Sequence, residues 1–171
     1  MALKNITLIG FMGTGKTSVG KILAKRLNRP VVDVDRYIEV SEKKKISEIF
    51  EKEGEARFRV LEKEAIRQIC ERQGIVITTG GGAVLDPENI KTLKASGSVI
   101  ALSASPETIY GRIKDSRRRP LLDGKDKLKE IERLLSERKP FYQQADFYFD
   151  TDGQSASQMA NLILKTLAGK I

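Results

Sequence analysis

Histidine and tryptophan are absent from this 171-residue chain, and cysteine occurs once, as Cys70. Without histidine there is no Ser-His-Asp triad, no imidazole general base and no imidazole-held metal. A single cysteine excludes an internal disulfide and a thiolate-based zinc cluster. Any bound metal is left to oxygen ligands, the set that suits Mg2+ or Mn2+. No apolar run approaches the ~20 residues that a bilayer span requires. The amino terminus, MALKNITLIG, lacks the charged-then-apolar pattern of a cleaved signal. These absences point to a cytoplasmic protein without a membrane partner.

Hydrophobic residues make up 40% of the chain and charged residues 32%, the balance of a folded, water-soluble protein. Neither an internal repeat nor a low-complexity linker interrupts it, so residues 1–171 read as one domain. Lysine and arginine outnumber the acids 31 to 23, a net charge of +8. Between Arg112 and Lys139 lie 11 basic and 6 acidic residues, so most of the surplus falls there. Lys125, Lys127 and Lys129 read as a solvated helix face. Arg117, Arg118 and Arg119, followed directly by Pro120, instead mark a helix end running into a loop rich in guanidinium groups. Nucleic-acid surfaces interleave aromatic with basic residues, and this stretch has no aromatic residue. A small anionic ligand fits better than a polynucleotide.

Short runs rich in β-branched or aromatic residues recur along the chain: Ile6 to Ile9, Val31 to Val34, Ile75 to Thr78, Ser98 to Leu102 and Phe147 to Phe149. Helical stripes alternate with them. Val19, Ile22, Leu23 and Leu27 share one face, and Phe58, Leu61, Ala65 and Ile69 another, with Gly74 placed to stop that helix. Asp86-Pro87 and Ser105-Pro106-Glu107 each join a capping residue to a proline at the first helical position. The alternation predicts an α/β three-layer sandwich, a five-stranded parallel sheet with helices on both faces. Ligands of such sheets bind beyond the carboxyl ends of the strands.

Residues 10–17, Gly10-Phe11-Met12-Gly13-Thr14-Gly15-Lys16-Thr17, match G-x-x-x-x-G-K-[ST] in full. They follow a strand-like run and open a helix, the context in which backbone N–H groups converge on phosphate oxygens. Gly13, Thr14, Gly15 and Ser18 would line the phosphates, Lys16 would reach the β- and γ-phosphates, and the Thr17 hydroxyl would ligate Mg2+. The chain is thereby read as binding a nucleoside triphosphate. No N-K-x-D guanine motif follows, which sets a GTPase switch aside.

The second strand run ends in Asp33-Val34-Asp35. Strand alternation puts both carboxylates on one side, aimed from the carboxyl end toward the phosphate loop. They could organise hydrated Mg2+ and accept a hydroxyl, or equally be a capping and a solvated aspartate. The third run leads into Gly80-Gly81-Gly82, where consecutive glycines suit either close approach of a ligand to the main chain or a plain turn. By spacing alone Arg59, Arg112 and Glu62 are helix-face residues, Arg59 with Glu55 and Glu62 one turn to either side. Arg138, before Lys139-Pro140, suits the carboxyl end of a helix. Cys70 reads as an inert packed thiol.

Taken together, GFMGTGKT, Asp33-x-Asp35, Phe58-Arg59 with Glu62, Gly80-Gly81-Gly82, Arg119-Pro120-Leu121-Leu122 and Arg138-x-Pro140-x-Tyr142 resemble the shikimate kinases in order and spacing. The resemblance runs from Ile6 to the last helix. It implies the phosphate-loop NTPase fold with a mobile lid at about 113–126, a substrate-binding helical region at about 35–63 and an adenine-side turn at about 150–155. It implies ATP and Mg2+, a monomer, and transfer of a phosphoryl group to the 3-hydroxyl of shikimate. By the same resemblance Lys16, Asp35 and Arg119 would be catalytic, Asp35 taking the hydroxyl proton and Arg119 leaning over the transferring phosphate. Arg112 and Gln154 would serve the nucleotide and Asp33 the metal through water. Arg59, Arg138, Gly80, Gly81 and Gly82 would hold the acceptor. Other small phosphate-loop kinases, acting on gluconate or a nucleoside monophosphate, and a basic nucleotide-dependent RNA-binding module remain as alternatives. Arginine at three successive positions before Pro120 departs from the family pattern, which asks only for Arg119.

Overall fold

Residues 4–113 and 126–168 are described by a computed structural model. Five strands form one parallel sheet: β1 (Asn5–Ile9), β2 (Val31–Asp33), β3 (Val76–Thr78), β4 (Gly97–Ser103) and β5 (Phe147–Asp150). Their spatial order is β2-β3-β1-β4-β5. The sequence runs place each strand to within about a residue. β1 is the central strand, paired with β3 on one side and β4 on the other, and all five of its residues are buried. The chain leaves it toward both halves of the sheet, so the point just beyond Ile9 is the topological switch point at which such sheets bind ligands.

Helices α1 (Lys16–Leu27), α2 (Val34–Glu42), α3 (Ile46–Cys70), α4 (Pro87–Ser96), α5 (Pro106–Ile113), α6 (Lys127–Tyr142) and α7 (Ala156–Leu167) complete the described fold. Alternation along the strands supplies two apolar layers. Ile6, Leu8, Val76, Ile100 and Leu102 meet Val19 and Leu23 of α1 and Met159, Ile163 and Leu167 of α7. Ile9, Ile77, Val99 and Ala101 face Ile66 and Ile69 of α3, Leu93 of α4, Ile109 of α5 and Ile131 of α6. Burial of such side chains contributes on the order of 2 kcal/mol each, the main favourable term in the fold. The capping predictions hold: the Asp86 carboxylate accepts from Glu88 N–H at 2.9 Å, and the Ser105 hydroxyl from Thr108 N–H at 3.2 Å.

Three local features differ from the sequence reading. β2 stops at Asp33, and Asp35 lies in the first turn of α2, so a helix turn and not strand alternation places the two carboxylates together. α3 is broken at Gly54, whose φ of 84° and ψ of 169° are not helical. α6 runs through Pro140 to Tyr142, so Arg138 lies within the helix and not at its end. Among the described residues no helix is long and apolar enough to cross a membrane.

Candidate active site

The turn from β1 into α1 is built by glycines. Gly13 and Gly15 hold φ of 77° and 92°, a left-handed region that disfavours side chains. No side chain caps the amino end of α1 and no acid occupies its first turn, so its N–H groups are left to an anion. Lys16 is nearly buried, and its Nζ donates to the carbonyls of Gly10 and Phe11, both at 2.8 Å. Thr14 is buried with its hydroxyl donating to the Phe11 carbonyl at 2.8 Å, which holds the loop closed on itself. Thr17 and Ser18 are exposed at the start of the helix.

Arg112 of α5 crosses to this loop. Its Nη1 donates to the Gly13 carbonyl at 3.0 Å and to the Thr151 hydroxyl at 3.1 Å, and its Nη2 to the Thr151 carbonyl at 3.2 Å. One guanidinium therefore ties the phosphate loop to the turn after β5. Gln154 is exposed in that turn, beside Gly153 at φ 67°.

On the other side of the loop stand the carboxylates. Asp33 caps α2, accepting from Arg36 N–H at 3.0 Å, and takes a 2.6 Å bond from the Thr78 hydroxyl across the β2–β3 register. The capping role that the sequence left open thus belongs to Asp33. Asp35 Oδ1 is buried without a hydrogen-bond partner. Burial and the neighbouring Asp33 raise its pKa to about 6, with Lys16 and Arg59 pulling the other way.

The triple glycine packs against all of this. A side chain at Gly80 would stand 2.9 Å from Asp35 Oδ1 and 3.3 Å from Glu62 Oε1. One at Gly81 would press on the Met12 nitrogen at 3.3 Å, and one at Gly82 would collide with the Arg59 guanidinium at 2.5 Å. Close approach, not turn flexibility, explains the glycines. Arg59 donates to Glu55 at 2.9 Å and to Glu62 at 2.7 Å, so the helix-face pairs exist, yet its guanidinium also lies on the glycine loop. Arg138 is 7% exposed, and its Cζ lies 5.6 Å from the Phe11 ring centroid. Among the described residues no carboxylate stands within ion-pair distance of it. A buried guanidinium beside the Tyr142 hydroxyl and without an ion pair among those residues is one that an anion would suit.

For Mg2+, the donor set is a Thr17 hydroxyl and two nearby carboxylates. Among the described residues no cluster of three or more acids or cysteines could hold a metal alone. That fits an ion carried on substrate phosphates, which keeps waters and takes few protein ligands.

A family model described as shikimate kinase matches residues 12–168. The chain belongs to the shikimate kinase family. The shikimate kinase of Thermodesulfovibrio yellowstonii is 49% identical over 163 residues, covering 95% of this chain and 94% of its own. That of Caldicellulosiruptor saccharolyticus is 46% identical over 162 residues, with 95% and 94% covered. Among solved structures, the shikimate kinase of Acinetobacter baumannii in complex with shikimate superposes with a TM-score of 0.94 at 36% identity. It covers 98% of this chain and 94% of that one.

Within this shikimate kinase fold, all the expected site residues but one fall in the described residues. The exception is Arg119, which with Arg117, Arg118 and most of the lid at 113–126 lies outside the described residues. Gln154 lies in the exposed turn after β5, with no hydrogen bond to the phosphate loop or the glycine loop among the described residues. Two residues join the site beyond those expected. Tyr142 donates its hydroxyl to the Gly81 carbonyl at 2.7 Å, fixing the glycine loop to α6, and burial pushes its pKa up to about 12. Glu62 is buried with Oε1 unpartnered, and burial raises its pKa to about 7 against the pull of Arg59. Its signal in the sequence is an acid four residues after Phe58 and three before Ala65, on the apolar stripe itself. Cys70 is as inert as expected, half-buried with its thiol pKa raised by that burial.

Proposed function

We propose that this chain is an ATP-dependent shikimate kinase. It transfers the γ-phosphoryl group of ATP to the 3-hydroxyl of shikimate, yielding shikimate 3-phosphate and ADP on the route to chorismate and the aromatic amino acids. The observation that carries this reading is Arg138, a buried guanidinium with no carboxylate partner among the described residues, set against Phe11 of the phosphate loop, while Arg59 lies on the glycine loop that also packs against Asp35. Two arginine forks suit a planar carboxylate, and Asp35 beside them suits the hydroxyls of the same acceptor.

Position among the described residues, and for Arg119 the family resemblance, support the following division of labour. Gly13, Thr14, Gly15 and Ser18 N–H groups take the phosphates, and Lys16 turns from the Gly10 and Phe11 carbonyls to the β- and γ-oxygens. Arg112, held against Gly13 and Thr151, together with the turn at 150–155 and Gln154, forms the adenine side. Thr17 and Asp33 would hold Mg2+, which would supply charge neutralisation on the phosphates. Arg59, Arg138 and the backbone of Gly80, Gly81 and Gly82 seat the acceptor, with the region 35–63 as the acceptor wall. Asp35 holds the attacking hydroxyl and takes its proton, a role for which a carboxylate suffices because the transition state is loose. Arg119 supplies charge from the lid, which excludes water on closing. The enzyme works as a cytoplasmic monomer, without nucleic acid or membrane.

The test is ADP release with Mg-ATP and shikimate, gluconate, AMP or CMP. Shikimate alone should give turnover. Turnover with another acceptor would overturn the pocket, and none with any acceptor would turn attention to polynucleotide binding.

A further inference from the structure

Glu62 is the most enclosed acid at the site, with a side chain 1% exposed. Its Oε2 accepts from Arg59 Nη1 at 2.7 Å, and its Oε1 has no donor at all. The charged groups facing it are few. Arg59 and Glu55 lie on its own helix α3, Asp35 faces it from α2, and the loop after β3 presents only the backbone of Gly80. Arg59 is the cation that pairs with it, at 2.7 Å, and Arg59 is already shared. Its Nε and Nη2 bond Glu55, which is 56% exposed.

We propose that seating of the acceptor's carboxylate is coupled to uptake of one proton by Glu62, which is a neutral acid in the loaded site. The inference rests on the reading of Arg59 as a carboxylate fork. A ligand carboxylate on Arg59 displaces Glu55, which turns into water at little cost. Glu62 has no such exit. It must share that cation with a second anion while remaining desolvated, so the charged form becomes still less favourable. The proton comes from solvent and settles on Oε1, the oxygen without a donor. No other bond is made or broken.

The pH window follows from the free site. There the Glu62 pKa already stands at about 7, and the ligand raises it further. Uptake is thus largest just above neutrality and vanishes in acid, where Glu62 is protonated in both states. Shikimate affinity falls as pH rises through the same window.

The experiment is calorimetric titration of the full chain with shikimate near pH 8, in HEPES and in Tris, whose ionisation heats differ. The slope of observed heat against buffer heat gives the protons taken up. It should lie between about half and one in the wild type and near zero at about pH 5. Glu62→Gln should bind shikimate with a slope near zero. Saturable binding with zero slope in the wild type overturns the coupling and leaves the kinase reading intact. A slope kept in Glu62→Gln places the proton on another group and overturns the assignment. Absence of shikimate binding removes the kinase reading, and this inference with it.

Discussion

Asp35→Asn is expected to lower kcat by about 10³, the usual scale for a lost general base, while nucleotide affinity stays unchanged or tightens slightly. Asparagine keeps the shape that fits beside Gly80, so the acceptor pocket is preserved. It removes the one buried oxygen in α2 that lacks a donor and is free to take a hydroxyl proton. The fold should not suffer. The Asp35 pKa is about 6 against an ordinary 3.8, so the folded state disfavours the ionised form. Above about pH 6 that charge costs stability, and a neutral isostere relieves it. A melting temperature at or above that of the wild type, with lost turnover, separates chemistry from folding. Turnover within tenfold of the wild type would take the base role away from Asp35.

Arg138→Lys is expected to raise KM for shikimate about 10- to 100-fold with little change in kcat. Lysine keeps the charge but loses the bidentate fork, worth about 1.5–3 kcal/mol for a charge-assisted pair. It also loses the guanidinium's contact with the Phe11 ring. KM for ATP should stay within twofold or so, because the phosphate contacts come from the loop before α1. Steady-state kinetics with each substrate varied in turn decides it. An unchanged KM for shikimate would put the carboxylate elsewhere, with Arg138 serving only α6.

How far these residues could be read from the sequence depends on what kind of signal each leaves. The phosphate loop is local: eight consecutive residues, a strand before and a helix after, and the glycine dihedrals follow from the pattern. The strands are legible because fully buried parallel strands are apolar end to end, as β1 is. Asp33 and Asp35 were rightly paired, but on strand geometry, where in fact a three-residue strand hands over to a helix at Val34. The break at Gly54 was not read, because a single glycine in a helical pattern is compatible with either outcome.

Burial is the less legible part. Arg138 and Glu62 look like surface residues of charged helices; Glu62 is marked only by its place on the apolar stripe, and nothing local distinguishes Arg138 from Arg133, which is exposed and ion-paired on the same helix. Only packing separates them. Arg138 lies under α6 against Phe11, and Glu62 lies between α2 and the glycine loop. The resemblance to the shikimate kinases implies a site role for Arg138, whereas the place of Glu62 comes from the geometry alone. For Arg59 both readings hold at once, since its ion pairs with Glu55 and Glu62 keep the guanidinium on Gly82.

The proposed reaction is one transfer, from ATP to a single hydroxyl of a carboxylate acceptor, and its most direct test is the product. Incubated with Mg-ATP and shikimate, the enzyme should yield ADP and one new phosphomonoester in equal amounts. Its phosphorus resonance should couple to the proton on carbon 3 of the ring. ADP appearing with inorganic phosphate while shikimate is recovered unchanged would contradict the account.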